Sequence, residues 1–109
     1  MKEFEITDTW LSDDTYVEYL GGGAPVQGFG RVKGIAFYFR ARHDDWEFHA
    51  SLNSSIDVGD LNMLTDDYFY IEEFYINASF MPLDEALQII KDCAARFIQW
   101  QRDRRDNGN

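Results

Sequence analysis

A chain of 109 residues with 20 acids, 10 lysines and arginines and a net charge of −10 is the size of one domain. At that charge it repels phosphate backbones and anionic membrane surfaces, which disfavours direct nucleic-acid or membrane binding. Cys93 is the single cysteine, so an internal disulfide and a multi-cysteine zinc site are both excluded.

The charge is unevenly placed. Residues 43–90 hold eleven of the twenty acids and no lysine or arginine, so this stretch carries −11 and the remainder nets +1. Aromatic residues make up 17% of the chain. Because each ring buries a large area, a small core is adequate and disorder is not expected.

The opening Met-Lys-Glu-Phe-Glu-Ile lacks an apolar signal-peptide core, and no run approaches the length of a membrane span, so a cytoplasmic protein is expected. Residues 2–7 alternate in character, with Phe4 and Ile6 on one side, and predict a short strand. Residues 8–20 admit two readings. Asp8 or Ser12 would cap a helix presenting Trp10, Leu11, Val17 and Leu20. Alternatively, residues 15–20 form a strand with Tyr16, Glu18 and Leu20 facing one way, which their β-branched and aromatic content favours.

Gly21-Gly22-Gly23-Ala24-Pro25 interrupts regular structure, and Gly28 and Gly30 extend the interruption. The Gly28-Phe29-Gly30 spacing fails the dinucleotide fingerprint, and Ile35-Ala36-Phe37-Tyr38-Phe39 after it reads as a strand rather than a helix. The glycines are therefore expected to form a flexible connector.

Residues 33–52 predict a hairpin turning at His43-Asp44-Asp45-Trp46. Pairs whose numbers sum to 89 place Arg42 opposite Glu47, Arg40 opposite His49 and Tyr38 opposite Ser51. On the other face Ala41 meets Phe48, Phe39 meets Ala50 and Phe37 meets Leu52. A two-residue or a four-residue loop preserves this sorting into a polar and an apolar face.

Residues 53–65 read as a loop, with room for helical turns, rich in turn and cap formers. Residues 67–76 admit a helix, but their aromatic content favours a further strand whose phase breaks: Phe69 and Ile71 are out of step with Phe74 and Ile76. A bulge at Glu72-Glu73, or burial on both faces, would reconcile them, with Phe69, Ile71 and Phe74 in the core.

Residues 82–105 predict a helix. Pro82 suits its first position, Asp84 and Glu85 its first turn, and Arg102, Arg104 and Arg105 its end. Leu83, Leu87, Ile90, Ala94 and Phe97 recur at helical spacing, widened by Ala86, Cys93 and Trp100. The expected fold is one α+β domain in which an antiparallel sheet packs against one long C-terminal helix.

No catalytic constellation emerges. His43 and His49 lie along one hairpin with Asp44, Asp45 and Glu47, an arrangement that does not converge as metal ligands must. The oxygen ligands of Asp57-Val58-Gly59-Asp60-Leu61-Asn62 lack calcium-loop spacing and a closing glutamate. Glu72 and Glu73, as strand neighbours, point to opposite faces and cannot flank one substrate bond. Cys93 falls in the apolar helix stripe, where a thiol is structural. A protein that is not an enzyme, with no cofactor and no bound metal, is the expectation.

The remaining functional surface is the acidic, tyrosine-rich one, and its candidate partner-binding residues are Asp57, Asp60, Asp66, Asp67, Tyr68, Tyr70, Glu72, Glu73 and Tyr75. Tyrosines supply anchors and carboxylates steer a basic partner. Size and charge are those of inhibitors, immunity proteins and phage or mobile-element proteins that cover a nuclease or another nucleic-acid-handling surface, acting as nucleic-acid mimics. This is an analogy of physical character alone. The alternatives are a small ligand- or metal-binding domain or enzyme using residues 21–34 or the His43/His49 hairpin, and a structural homodimer module.

Overall fold

A computed structural model describes residues 5–53 and 67–108. Six strands form one antiparallel sheet in chain order: β1 (Glu5–Trp10), β2 (Thr15–Gly21), β3 (Val26–Val32), β4 (Ile35–Arg42), β5 (Asp45–Ser51) and β6 (Tyr68–Phe74). A 3-10 turn at Ala78–Phe80 leads into α1 (Leu83–Gly108), which lies across one face of the sheet. The architecture is the expected α+β fold, a sheet packed with one long C-terminal helix.

Residues 15–20 are strand, the reading their β-branched and aromatic content favours, and the helix capped at Asp8 or Ser12 is not formed. β1 begins at Glu5 among the described residues and runs on to Trp10. In β2 the register shifts between Val17 and Tyr19. That bulge at Glu18 lets Val17 and Leu20, three positions apart, both reach the core. Leu20 therefore does not share a face with Tyr16 in the simple alternation expected.

The expected glycine connector is instead largely β3. Val26, Gly28, Gly30 and Val32 are buried while Gln27, Phe29 and Arg31 are exposed, a strict two-residue period. The glycines hide that period from a hydrophobicity reading because they contribute no apolar side chain. Their role is close approach. A Cβ on Gly30 would lie 2.0 Å from the Tyr16 carbonyl oxygen and 2.9 Å from the Phe37 ring. The next turn, Lys33-Gly34, has both residues at positive φ, 50° and 81°, the pattern of a type I′ hairpin.

The β4–β5 hairpin turns through two residues, His43 and Asp44, with paired numbers summing to 87: Phe37↔Ala50, Phe39↔Phe48, Arg40↔Glu47 and Arg42↔Asp45. The expected sorting into two faces survives, since a slip of two residues keeps parity. The Arg42–Glu47 pair does not; Arg40 takes that place, with Nη2 3.3 Å from Glu47 Oε1. Segment 75–79 clamps this turn. Tyr75 N–H donates to the Asp44 carbonyl, Asn77 N–H to the Asp44 carboxylate and Ala78 N–H to the His43 carbonyl, while His43 N–H donates to Ser79 Oγ.

β6 carries no bulge. Its pairing with β5 runs without a shift from Ser51↔Tyr68 to Asp45↔Phe74. The phase conflict is resolved by exposure: Phe69 and Ile71 face the helix, whereas Phe74 is 75% and Ile76 67% exposed. The core assignment of Phe74 is thus corrected.

The helix stripe is as expected, with Ala86, Ile90, Cys93, Ala94 and Phe97 buried against Phe37, Phe39, Phe48 and their neighbours. Rings link sheet to helix: Phe37 stacks on Phe48, Phe48 meets Phe69 edge-on, and Phe69 lies 5.3 Å from both Phe97 and Trp100. Such pairs add roughly 0.5–1.5 kcal/mol each beyond area burial. No described helix is long and apolar enough to cross a membrane.

Candidate functional site

The sheet face turned away from the helix carries the polar residues of β4, β5 and β6. Cross-strand pairing puts Arg40, Glu47 and Glu72 in one row and Tyr38, His49 and Tyr70 in the next. His49 is fully buried, with the rings of Tyr38, Tyr68 and Tyr70 around it at 4.8–5.8 Å between centroids.

Its ring is hydrogen-bonded at both nitrogens: Nε2 is 3.0 Å from Glu47 Oε1 and Nδ1 is 2.9 Å from the Tyr68 hydroxyl. A carboxylate accepts and cannot donate. Nε2–H therefore donates to Glu47, and the Tyr68 hydroxyl donates to Nδ1. This fixes one tautomer of a neutral imidazole. Burial lowers the His49 pKa from its ordinary value, against the opposing pull of Glu47.

Carboxylate oxygens of Asp45, Glu47 and Glu72 lie within 4.8 Å of one another. The cluster has internal compensation. Arg40 and His49 both donate to Glu47, and the Tyr70 hydroxyl donates to Glu72 at 2.8 Å. Desolvation, followed by the hydrogen bond and repulsion from Glu72, raises the Asp45 pKa. His49 stands beside these acids on one strand, and His43 sits apart at the turn, so the two histidines do not converge.

The expected partner-binding residues fall into three groups. Asp57, Asp60 and Asp66, with the loop expected over residues 53–65 apart from Asn53, lie outside the described residues. Tyr68, Tyr70 and Glu72 share the face away from the helix, but Tyr68 is only 7% exposed and belongs to the His49 network rather than to an open rim. Asp67, Glu73 and Tyr75 turn toward the helix: Asp67 pairs with Arg104 at 3.0 Å, Glu73 with Arg96 at 3.5 Å, and the Tyr75 hydroxyl donates to Glu85. Arg104 also lies over the Trp100 ring, 4.7 Å from its centroid. Much of the acidity is therefore answered within the fold.

The surface that sequence reasoning missed is apolar. Phe74, Ile76 and Phe80, at 75%, 67% and 74% exposure, fall within seven residues. The out-of-phase Phe74 and Ile76 were the available signal. Acids flank them in the chain: Glu72 and Glu73 precede Phe74, and Asp84 and Glu85 follow Phe80, while Asp45 is the cross-strand partner of Phe74. Beside Phe74 a groove of about 310 Å³ opens between β6 and α1, with Trp46, Tyr75 and Ile89 in its lining and Glu73, Asp92 and Arg96 also bordering it.

No protein-family model, curated protein or solved structure matches this chain.

Proposed function

We propose that the protein binds a basic protein partner through the surface centred on Phe74, Ile76 and Phe80, as an inhibitor or immunity-type protein covering a nucleic-acid-handling surface. One observation supports this reading above the others: three large apolar side chains stand in solvent within a single short segment bordered by carboxylates. Apolar surface left exposed and rimmed by charge is characteristic of interaction sites. Aromatic side chains at its centre supply binding energy, and the surrounding acids guide a basic partner and set orientation. The chain's net charge of −10 adds long-range attraction to the same partner.

The test is affinity capture with the full chain, comparing wild type with the triple variant Phe74→Ser/Ile76→Ser/Phe80→Ser at low and high salt. A basic protein retained by wild type, weakened by salt and lost in the variant is the expected result. Capture unchanged by the triple substitution would remove the basis of the proposal.

A further inference from the structure

Resting on that reading, we propose how the partner engages: a basic extended segment adds as a seventh strand to the edge of β6 that no described strand pairs with, held by the outward backbone groups of Tyr70, Glu72 and Phe74. Hydrogen-bond parity identifies those groups. Leu52 N–H donates to the Asp67 carbonyl and Tyr75 N–H to the Asp44 carbonyl. The register between β5 and β6 is unbroken between these points. Residues 69, 71 and 73 therefore direct their backbone groups to β5, and the alternate residues 70, 72 and 74 direct theirs away from it. Among the described residues no strand pairs with that side.

The two edges of the sheet differ. On β1, Asp8 has a φ of 47° and the pairing skips from Thr7↔Tyr19 to Thr9↔Val17, a break of the kind that blunts an edge against further pairing. β6 has no such break, no proline and no lysine. It is the edge left fit for strand addition, a common mode of peptide recognition.

Charge selects the occupant. A second copy pairing antiparallel about Glu72 would set Glu72 against Glu72, and it would bring two Asp45–Glu47–Glu72 clusters together. Like charges directly opposed destabilise a sheet. A lysine or arginine on an incoming strand meets the same carboxylates favourably. Its alternate side chains, on the other face, point to the groove between β6 and α1 lined by Trp46, Tyr75 and Ile89. The segment should thus alternate basic and apolar residues.

The experiment uses the ¹⁵N-labelled full chain and an acetylated, amidated eight-residue peptide alternating lysine and valine, with a glutamate-for-lysine peptide as control. The lysine peptide should slow amide exchange at residues 70, 72 and 74, and the glutamate peptide should not. Glu72→Pro removes an outward donor together with the central carboxylate while sparing the β5 ladder, and should weaken the lysine peptide by at least tenfold, since the hydrogen bond alone is worth about 1.4 kcal/mol. Should that variant not fold, Glu72→Lys should invert the preference between the peptides. Absence of protection at the three amides, or a free protein that is already a dimer protected there, would overturn strand addition, and equal protection by both peptides would overturn the basic occupant. A captured partner lost in the Phe74/Ile76/Phe80 serine variant but indifferent to the Glu72 substitutions would refute this inference alone. A partner indifferent to both sets would refute the function proposed above as well.

Discussion

His49 donates through Nε2 to Glu47 Oε1 at 3.0 Å, two positions away on the same strand, and Arg40 donates to the same oxygen from the neighbouring strand. One carboxylate oxygen thus terminates a chain that begins at the Tyr68 hydroxyl and passes through a fully buried imidazole. Buried polar groups are stable only when satisfied, and no described buried side-chain atom here lacks a partner. Replacing His49 with Ala removes both bonds and leaves a cavity among three tyrosine rings. A loss of about 3 kcal/mol is expected in urea denaturation. His49→Gln should recover part of it.

The same histidine sets a pH dependence. Its folded pKa is lowered relative to the usual 6.5, so the unfolded chain takes up the proton more readily. The stabilisation is fully present above about pH 6.5 and is lost as the pH falls through that value toward the folded pKa. Denaturation midpoints should fall between pH 7 and pH 5.5 in wild type and flatten in His49→Gln. Equal slopes for the two proteins would contradict the assignment.

Asp45 acts with the opposite sign. Its raised pKa means that its charged form is disfavoured in the fold, and acidification relieves that strain as the pH falls through the folded value. Asp45→Asn should therefore stabilise the protein at pH 7. Its advantage should shrink as the pH is lowered toward 4, measured as the difference in denaturation midpoint.

Gly30 is required by space rather than by conformation. Any Cβ there meets the Tyr16 carbonyl oxygen at 2.0 Å, and backbone atoms cannot rotate aside. Gly30→Ala should cost about 3 kcal/mol, at the upper end of ordinary overpacking. Gly34→Ala meets no atom but keeps a φ of 81°, and should cost about 1 kcal/mol through backbone strain alone. Thermal melts of the two variants will separate the effects.

Cys93 is buried in the helix stripe, and burial pushes its thiol pKa up to about 12. A thiol neither ionised nor accessible reacts slowly. Alkylation by iodoacetamide at pH 8 should be at least tenfold slower in the native protein than in urea, the order expected when reaction awaits unfolding.

The sequence alone determined the class of fold and its strongest elements. The heptad-like recurrence from Leu83 to Phe97 survives any register, because helix formation is local and its apolar stripe is written in consecutive turns. The two-faced sorting of the β4–β5 hairpin was legible for a similar reason: parity is fixed by alternation. Its loop length was not, since sums of 87 and 89 sort the same residues, and the choice follows from segment 75–79 gripping His43 and Asp44 from more than thirty positions away.

Tertiary structure also decided what alternation could not express. β3 was hidden because its inward positions, Gly28 and Gly30, are small to admit Leu20, Phe37 and the Tyr16 carbonyl. At the site, composition marked an acidic, tyrosine-rich stretch, but only strand pairing divided it. Tyr68 was drawn inward to His49, Asp67 and Glu73 were turned to the helix arginines, and Phe74 with Ile76 was left in water. Which side chain is covered depends on what packs over it, and that is settled by contacts between segments distant in the chain.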